Sequence, residues 1–104
     1  MATDGSAEQP RDALPTLLHS PTRLAILGTL RRVQHVSFAD VRDALHLTTP
    51  ELSRQVAILE EEGIVEVAKL RQNRKVVTQL RLSDTGRERF NAYLARLRAI
   101  VGDD

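Results

Sequence analysis

Residues 37–63 read SFADVRDALHLTTPELSRQVAILEEEG, and the interpretation of the whole chain starts from this segment. Apolar residues at helical spacing predict a first helix over residues 38–45. Pro50, which follows threonines that can cap a helix, predicts a second helix over residues 49–62. Gly63 supplies the left-handed residue with which such helices commonly end. Two helices joined by so short a connection form a helix-turn-helix.

The segment after this motif changes to an apolar period of two, which predicts a hairpin with strands over residues 64–70 and 76–82. Asn73 in the tip, residues 71–75, suits a positive φ. The whole chain has a net charge of +1, but residues 69–81 carry five Lys or Arg and no acid. Such a block suits a polyanion, although a solvated basic loop is the alternative.

The flanking segments complete one small domain. A serine-proline pair predicts a further helix over residues 21–32, and a second capping pattern predicts a last helix with apolar residues at heptad positions. We divide the chain into a flexible tail over residues 1–13, a folded domain over residues 14–82 and a C-terminal helix over residues 83–104. The expected class is α+β, mostly α, with a three-helix core and a two-stranded hairpin.

The composition narrows the function further. The chain has 104 residues and no Cys, which excludes a disulfide framework and a thiolate metal site and disfavours most enzyme classes. No apolar run approaches the roughly 20 residues of a membrane span, so we expect a cytoplasmic protein. His19, His35 and His46 lie far apart, and no nucleophile and base are paired, so we expect no metal, cofactor or catalytic site.

Three stretches together carry a family resemblance: LLHSPTRLAILGTL, FADVRDALHLTTPELSRQVAILEEEGIVEV and LRLSDTGRERFNAYLARL. Over residues 14–101 the chain resembles the small bacterial transcriptional regulators of the MarR-like winged-helix group. The resemblance implies a winged helix-turn-helix that binds double-stranded DNA as a homodimer, as a repressor or an activator. Residues 49–62 would then be the recognition helix, and residues 65–82 the wing.

The recognition helix has an apolar face of Leu52, Val56 and Leu59, so its other face is available to DNA. Arg54 suits guanine and Gln55 suits adenine, and each good contact contributes about 1–3 kcal/mol of discrimination. An ion pair with Glu51 is the alternative role for Arg54. The candidate DNA-binding residues are Thr48, Thr49, Glu51, Ser53, Arg54, Gln55 and Ile58 on the helix, and Arg71, Asn73, Arg74 and Lys75 on the wing.

The apolar stripe of the last helix predicts a dimer interface, because it is long for a domain of this size. A stripe that packs within its own subunit is the alternative. A twofold dimer would place two recognition helices roughly 34 Å apart and predicts a palindromic operator. The interface candidates are Leu14, Leu17, Leu18, Phe90, Tyr93, Leu94, Leu97, Ile100 and Val101.

Two further hypotheses accompany this interpretation. A small-molecule effector of unknown identity would have to occupy the dimer interface between the last helices and the core, in a pocket lined by residues such as Leu18, Phe90 and Tyr93. The alternative function is a winged-helix module that binds protein and does not read DNA. The basic hairpin favours DNA over that alternative, because a protein-binding module has no need of such a charge concentration.

Overall fold

The computed structural model describes residues 14–102, which contain five helices and three strands. The elements are α1 (Leu14–Leu17), α2 (Pro21–Arg31), β1 (Val36–Ser37), α3 (Phe38–Ala44), α4 (Thr49–Glu61), β2 (Val65–Gln72), β3 (Lys75–Leu82) and α5 (Asp84–Val101). The tail predicted for residues 1–13 lies outside the described residues. No helix among them is long and apolar enough to cross a membrane.

A hydroxyl side chain begins each of the four longer helices. The oxygen of each cap accepts a hydrogen bond from a backbone N–H three residues ahead, which satisfies a donor that the helix itself leaves unpaired. The caps are Ser20, Ser37, Thr48 and Ser83. These local signals explain why the helices predicted over residues 21–32, 38–45 and 49–62 are confirmed to within about one residue at each boundary. The last helix begins as predicted but ends at Val101, and the short helix Leu14–Leu17 was not predicted.

The sheet is antiparallel with strand order β1-β3-β2, so it contains one strand more than predicted. Strand β1 pairs with the middle of β3, with Val36 opposite Leu80. A strand of two residues has no recognisable alternation of its own and forms because β3 offers it a free edge. The sheet therefore extends from the hairpin back to the start of α3.

The hairpin turn is also tighter than predicted. Strand pairing continues to Gln72 opposite Lys75, which leaves only two residues in the turn and makes the expected five-residue tip wrong. Asn73 has the positive φ that its residue type suggested, at 50°, and Arg74 also has a positive φ, at 67°. Two consecutive positive φ angles are typical of a type I′ turn, whose twist matches that of the flanking strands.

The core lies between the helices and one face of the sheet. Alternation in β3 directs Leu80 and Leu82 inward and leaves Arg81 on the opposite face. The fully or almost fully buried apolar side chains come from every helix and from the hairpin: Leu14, Leu18, Ile26, Leu27, Leu30, Val41, Leu52, Val56, Leu59, Ile64, Val65, Leu80, Leu82 and Phe90. One cluster thus holds α4 and the hairpin in a fixed relation.

The junction between β3 and α5 is fixed by Ser83, a buried polar residue with satisfied hydrogen bonds. Its hydroxyl donates to the Gly63 carbonyl at 2.6 Å and accepts from the Gly86 N–H at 2.8 Å. A side chain at Gly86 would collide with the backbone of Ile64, so glycine is what permits α5 to lie this close. The start of α5 is therefore part of the domain core.

Candidate nucleic-acid interface

Helix α4 turns one face into the core and the other to solvent. Leu52, Val56 and Leu59 are buried, as their spacing predicted. Ser53 and Arg54 are exposed on the opposite side. In the described part of the chain no ion pair joins Arg54 to Glu51, which leaves the guanidinium of Arg54 available to an external acceptor.

The first turn of α4 is organised by hydrogen bonds that occupy both threonines. The Thr48 oxygen caps the helix by accepting from the Glu51 N–H at 3.2 Å. The Thr49 hydroxyl oxygen accepts from Arg42 Nη1 at 3.1 Å. Arg42 on α3 also pairs with Asp43 at 2.9 Å. Arg42 therefore lies at the start of α4, where a guanidinium can bind a phosphate. It was not among the predicted DNA-binding residues.

Gln55 makes a hydrogen bond to another helix of the chain. Its side-chain oxygen accepts from Arg23 Nη1 at 2.8 Å, and Arg23 Nε donates to the Leu17 carbonyl at 2.8 Å. A bidentate pair with adenine needs both the oxygen and the nitrogen of a glutamine amide. Arg23 engages one lone pair of the oxygen, so Gln55 joins α4 to α2 in this structure. Its contact with adenine stays a prediction.

Two other predicted helix residues are only partly accessible. Glu51 and Ile58 are half-buried, and they flank the exposed Arg54 by one turn in either direction. The acids Glu60, Glu61 and Glu62 are exposed at the C-terminal end of α4. The N-terminal half of the helix is thus the half whose exposed surface is free of an acidic run, which suits contact with a polyanion.

The predicted DNA-binding residues of the wing, three of them basic, are all exposed at the end of the hairpin: Arg71, Asn73, Arg74 and Lys75. The pairing register divides them between two faces. Arg71 lies opposite Val76 on the face that also carries Val65 and Val67, whereas Lys75 lies on the other face opposite Gln72. The wing therefore presents cations on both sides of its tip, a geometry suited to phosphates on either side of a groove.

Lys69 is a further candidate for DNA binding. It was not among the predicted DNA-binding residues, although it is one of the five Lys or Arg of residues 69–81. It alternates with Val65 and Val67 along β2, so its side chain lies on the face of the sheet that meets α4. There it lines a groove of about 390 Å³ with Thr49 and Ser53 in the first half of α4, and Glu60 lines the same groove at the other end of the helix. The alternation from Val65 onward is the sequence signal that could have identified it.

The predicted dimer interface divides into buried and exposed parts. Leu14, Leu18 and Phe90 are buried in the chain's own core, which corrects their assignment to a surface between subunits. Helix α1 packs beside α5 within the same subunit and covers these side chains. For this part of the apolar stripe of α5, packing within one subunit was the alternative to a dimer interface. Leu17, Tyr93 and Leu94 are partly buried against the same core. Leu97, Ile100 and Val101 are exposed and remain available to a partner.

Two of the residues expected to line an effector pocket are buried within their own subunit. Leu18 and Phe90 are 6% and 1% exposed, and the Phe90 and Tyr93 rings stack with centroids 6.4 Å apart. A pocket between two subunits stays a prediction. In the described residues there is no group of three or more acids or histidines that could hold a metal ion.

Comparison with known proteins bears on this surface. A family model described as a winged helix DNA-binding domain matches residues 22–101. An uncharacterized protein of Methanocaldococcus jannaschii is 30% identical over 78 residues, which cover 75% of this chain and 85% of that protein.

Solved structures share the architecture. A transcriptional regulator homologue from Pyrococcus horikoshii is 28% identical with a TM-score of 0.77, and the match covers 83% of this chain and 85% of that one. The transcriptional repressor BigR from Xylella fastidiosa is 27% identical with a TM-score of 0.63, and the match covers 88% and 85% of the two chains. The winged fold expected from the sequence is confirmed.

Proposed function

The chain belongs to the winged helix DNA-binding domain family, and we propose that it is a transcriptional regulator, acting as a repressor, that binds double-stranded DNA as a homodimer. The supporting observation is the groove that Ser53 of α4 and Lys69 of β2 line together. Because that groove joins the exposed side of α4 to the basic wing, the two elements form one continuous surface for a duplex.

The N-terminal half of α4 enters the major groove in this proposal. Arg54 donates two hydrogen bonds to guanine O6 and N7, the commonest specific contact of an arginine. The Ser53 hydroxyl and the partly accessible Glu51 and Ile58 border the same bases. Thr48, Thr49 and Arg42 lie at the start of the helix, where backbone and side-chain donors suit phosphate oxygens.

The wing supplies most of the affinity that does not depend on base sequence. Arg71, Arg74 and Lys75 neutralise phosphates and release condensed counterions, and Asn73 adds a donor at the turn. Lys69 extends this cationic line toward α4. Gln55 keeps its predicted contact with adenine, although its oxygen also accepts from Arg23.

Homodimerisation is proposed through the exposed end of α5, where Leu97, Ile100 and Val101 form an apolar surface. A second copy related by a twofold axis would cover that surface and present two recognition helices to successive major grooves. Half-sites would then be separated by roughly one helical turn, about 34 Å, in a palindromic operator.

The test is binding of the purified protein to the DNA upstream of its own gene over a range of salt concentrations. We expect the logarithm of the association constant to fall steeply with the logarithm of salt. The double variant Arg74→Gln/Lys75→Gln should lower that slope by about two, one for each lost phosphate contact. Arg54→Ala should instead lower the preference for operator over random duplex, by about 1–3 kcal/mol.

The matched control is Arg32→Gln, which removes an exposed charge at the C-terminal end of α2 and should leave both quantities unchanged. Absence of duplex binding by the unmodified protein would contradict the proposal and favour a protein-binding module. If the substitutions on the wing and on α4 change neither the salt dependence nor the operator preference of duplex binding, DNA does not bind at the proposed surface.

A further inference from the structure

A second cationic surface lies away from α4 and the wing tip. It is a cleft of about 720 Å³ formed by the end of α2, the loop that follows, β3 and the first turns of α5. Its cationic lining residues are Arg31, Arg32, Arg81 and Arg87, and Val33, Gln34 and His35 complete the lining. Its size falls within the range of roughly 300–1,000 Å³ that is usual for small-molecule sites.

Arg81 of the cleft and Lys69 of the groove beside α4 lie on opposite faces of the sheet. Arg81 alternates with the buried Leu80 and Leu82, so its side chain lies on the outer face, where it pairs with Glu66. Lys69 and Arg71 lie on the inner face with Val65 and Val67. A duplex seated on α4 therefore meets the inner face, and the cleft is open to a different ligand.

Arg87 is held in the cleft by neutral partners. Its Nη1 donates to the Arg31 carbonyl at 3.0 Å and its Nη2 donates to the Val33 carbonyl at 3.1 Å. These bonds engage carbonyl oxygens at the negative end of α2, which would otherwise repel an anion. The guanidinium charge itself is not neutralised, because neither partner carries a negative charge.

The other cationic side chains are similarly short of acids. Arg31 Nε donates to the amide oxygen of Asn91 at 2.9 Å, another neutral partner. Arg32 makes no ion pair in the part of the chain that the structure describes. Only Arg81 faces carboxylates, those of Glu66 and Asp84. Three arginines of the cleft thus carry charge that no acid of the described chain compensates.

We propose that this cleft binds a small molecule bearing two or more phosphate groups. Guanidinium groups match the geometry of phosphate oxygens and donate paired charge-assisted hydrogen bonds to them. Several arginines that converge from separate elements favour a ligand with several anionic groups over a single phosphate. Since α2, the following loop and α5 all contribute, such a ligand would hold these three segments together.

Calorimetric titration with inorganic tripolyphosphate, at constant ionic strength and without DNA, tests the proposal. We expect saturable binding by the full chain. Arg32→Gln should raise the Kd about tenfold, because it removes an exposed cation of the cleft that forms no ion pair within the described residues. Arg74→Gln, which removes one charge from the wing tip, is the matched control and should change the Kd less than about twofold.

The pattern of outcomes separates the cleft from general electrostatic attraction. Absence of saturable binding, or equal weakening by Arg32→Gln and Arg74→Gln, overturns the proposal. Amide chemical-shift changes on titration should centre on residues 31–35 and Arg87, and changes confined to residues 71–75 would equally overturn it. A variant that has lost its fold is recognised by its own amide spectrum, and Arg31→Gln, which should also raise the Kd, then provides the second test in the same cleft.

Duplex binding by the same variants tests whether DNA, and not a small molecule, occupies the cleft. If the cleft serves a small ligand, Arg32→Gln binds duplex as the unmodified protein does while Arg74→Gln binds it more weakly. If Arg32→Gln weakens duplex binding as much as Arg74→Gln does, the cleft contacts DNA phosphates and the proposal fails. Since the tripolyphosphate titration contains no DNA, its result stands independently of the proposed regulator function.

Discussion

The two halves of α5 carry one continuous apolar stripe but meet different surroundings. In the first half, Gly86 and Phe90 are buried against the chain's own core. In the second half, Ile100 and Val101 are 77% and 75% exposed. Heptad spacing is the same throughout, so the spacing specifies which residues share a face and leaves open what covers that face. The domain's own core ends after Tyr93 and Leu94, which are partly buried against it.

The largest effect is expected from Gly86→Ala in the buried half. The added Cβ would collide with the Ile64 backbone, which flexible side-chain motion cannot relieve. We expect a loss of about 1–3 kcal/mol in the free energy of unfolding, as for other overpacked sites. Urea unfolding measures this loss.

Gly28→Ala in α2 is the matched control, because a Cβ there meets no atom within 4 Å. Alanine is the better helix former, so this variant should gain roughly 0.5–1 kcal/mol. A loss of unfolding free energy in Gly86→Ala together with a gain in Gly28→Ala would support close packing of α5 on the backbone of Ile64. A gain at Gly86 as well would mean that the first half of α5 does not lie against Ile64.

The next effect concerns the exposed half. If a second copy covers it, the variant Ile100→Ser/Val101→Ser should weaken dimerisation at least tenfold, or about 1.4 kcal/mol, because it removes apolar area from the interface. Sedimentation over a concentration series measures the dimer Kd. Val76→Ser is the control, since Val76 is a 61% exposed apolar residue on the wing. Equal dimer constants in all three proteins would place the interface elsewhere.

The origin of each structural signal explains what could be predicted from the sequence. Helix boundaries were predictable because Ser20, Ser37 and Thr48 cap helices through hydrogen bonds to residues only three positions ahead. The hydrogen bond of Gln55 was not predictable, because its donor is Arg23, which is 32 residues away in the chain. Strand β1 escaped prediction for the same reason, since its pairing partner in β3 is remote in sequence.

The candidate site shows the same division. Exposure of Arg54 and of the wing tip followed from periodicity, because burial of one helix face implies exposure of the other. The side of the sheet that Lys69 occupies follows from strand alternation once the register is known. The burial of Leu14, Leu18 and Phe90 required knowledge of how α1 meets α5, a long-range contact that no local pattern specifies.

The smallest effect is expected at Arg81, which ties the start of α5 to the sheet. Glu66 first, and then Asp84, accept hydrogen bonds from its side chain and raise the pKa of the Arg81 guanidinium. A group with a raised pKa in the folded state adds stability below its unfolded pKa and loses it only as the pH rises through the folded value. This contribution is therefore constant through the neutral range and disappears only at strongly alkaline pH. Because the group is exposed, Arg81→Gln should lower the unfolding midpoint only slightly, and the difference should shrink in molar salt.

Arg98→Gln is the control for this substitution, since Arg98 is exposed in the second half of α5. It should change the midpoint less than Arg81→Gln does at low salt, because in the described chain no ion pair ties Arg98 to another element. A salt-independent loss in Arg81→Gln would show that the aliphatic part of the side chain, and not its charge, stabilises the junction. In that case the charge of Arg81 does not hold the first half of α5, which rests on apolar burial and on the hydrogen bonds of Ser83 and Arg87.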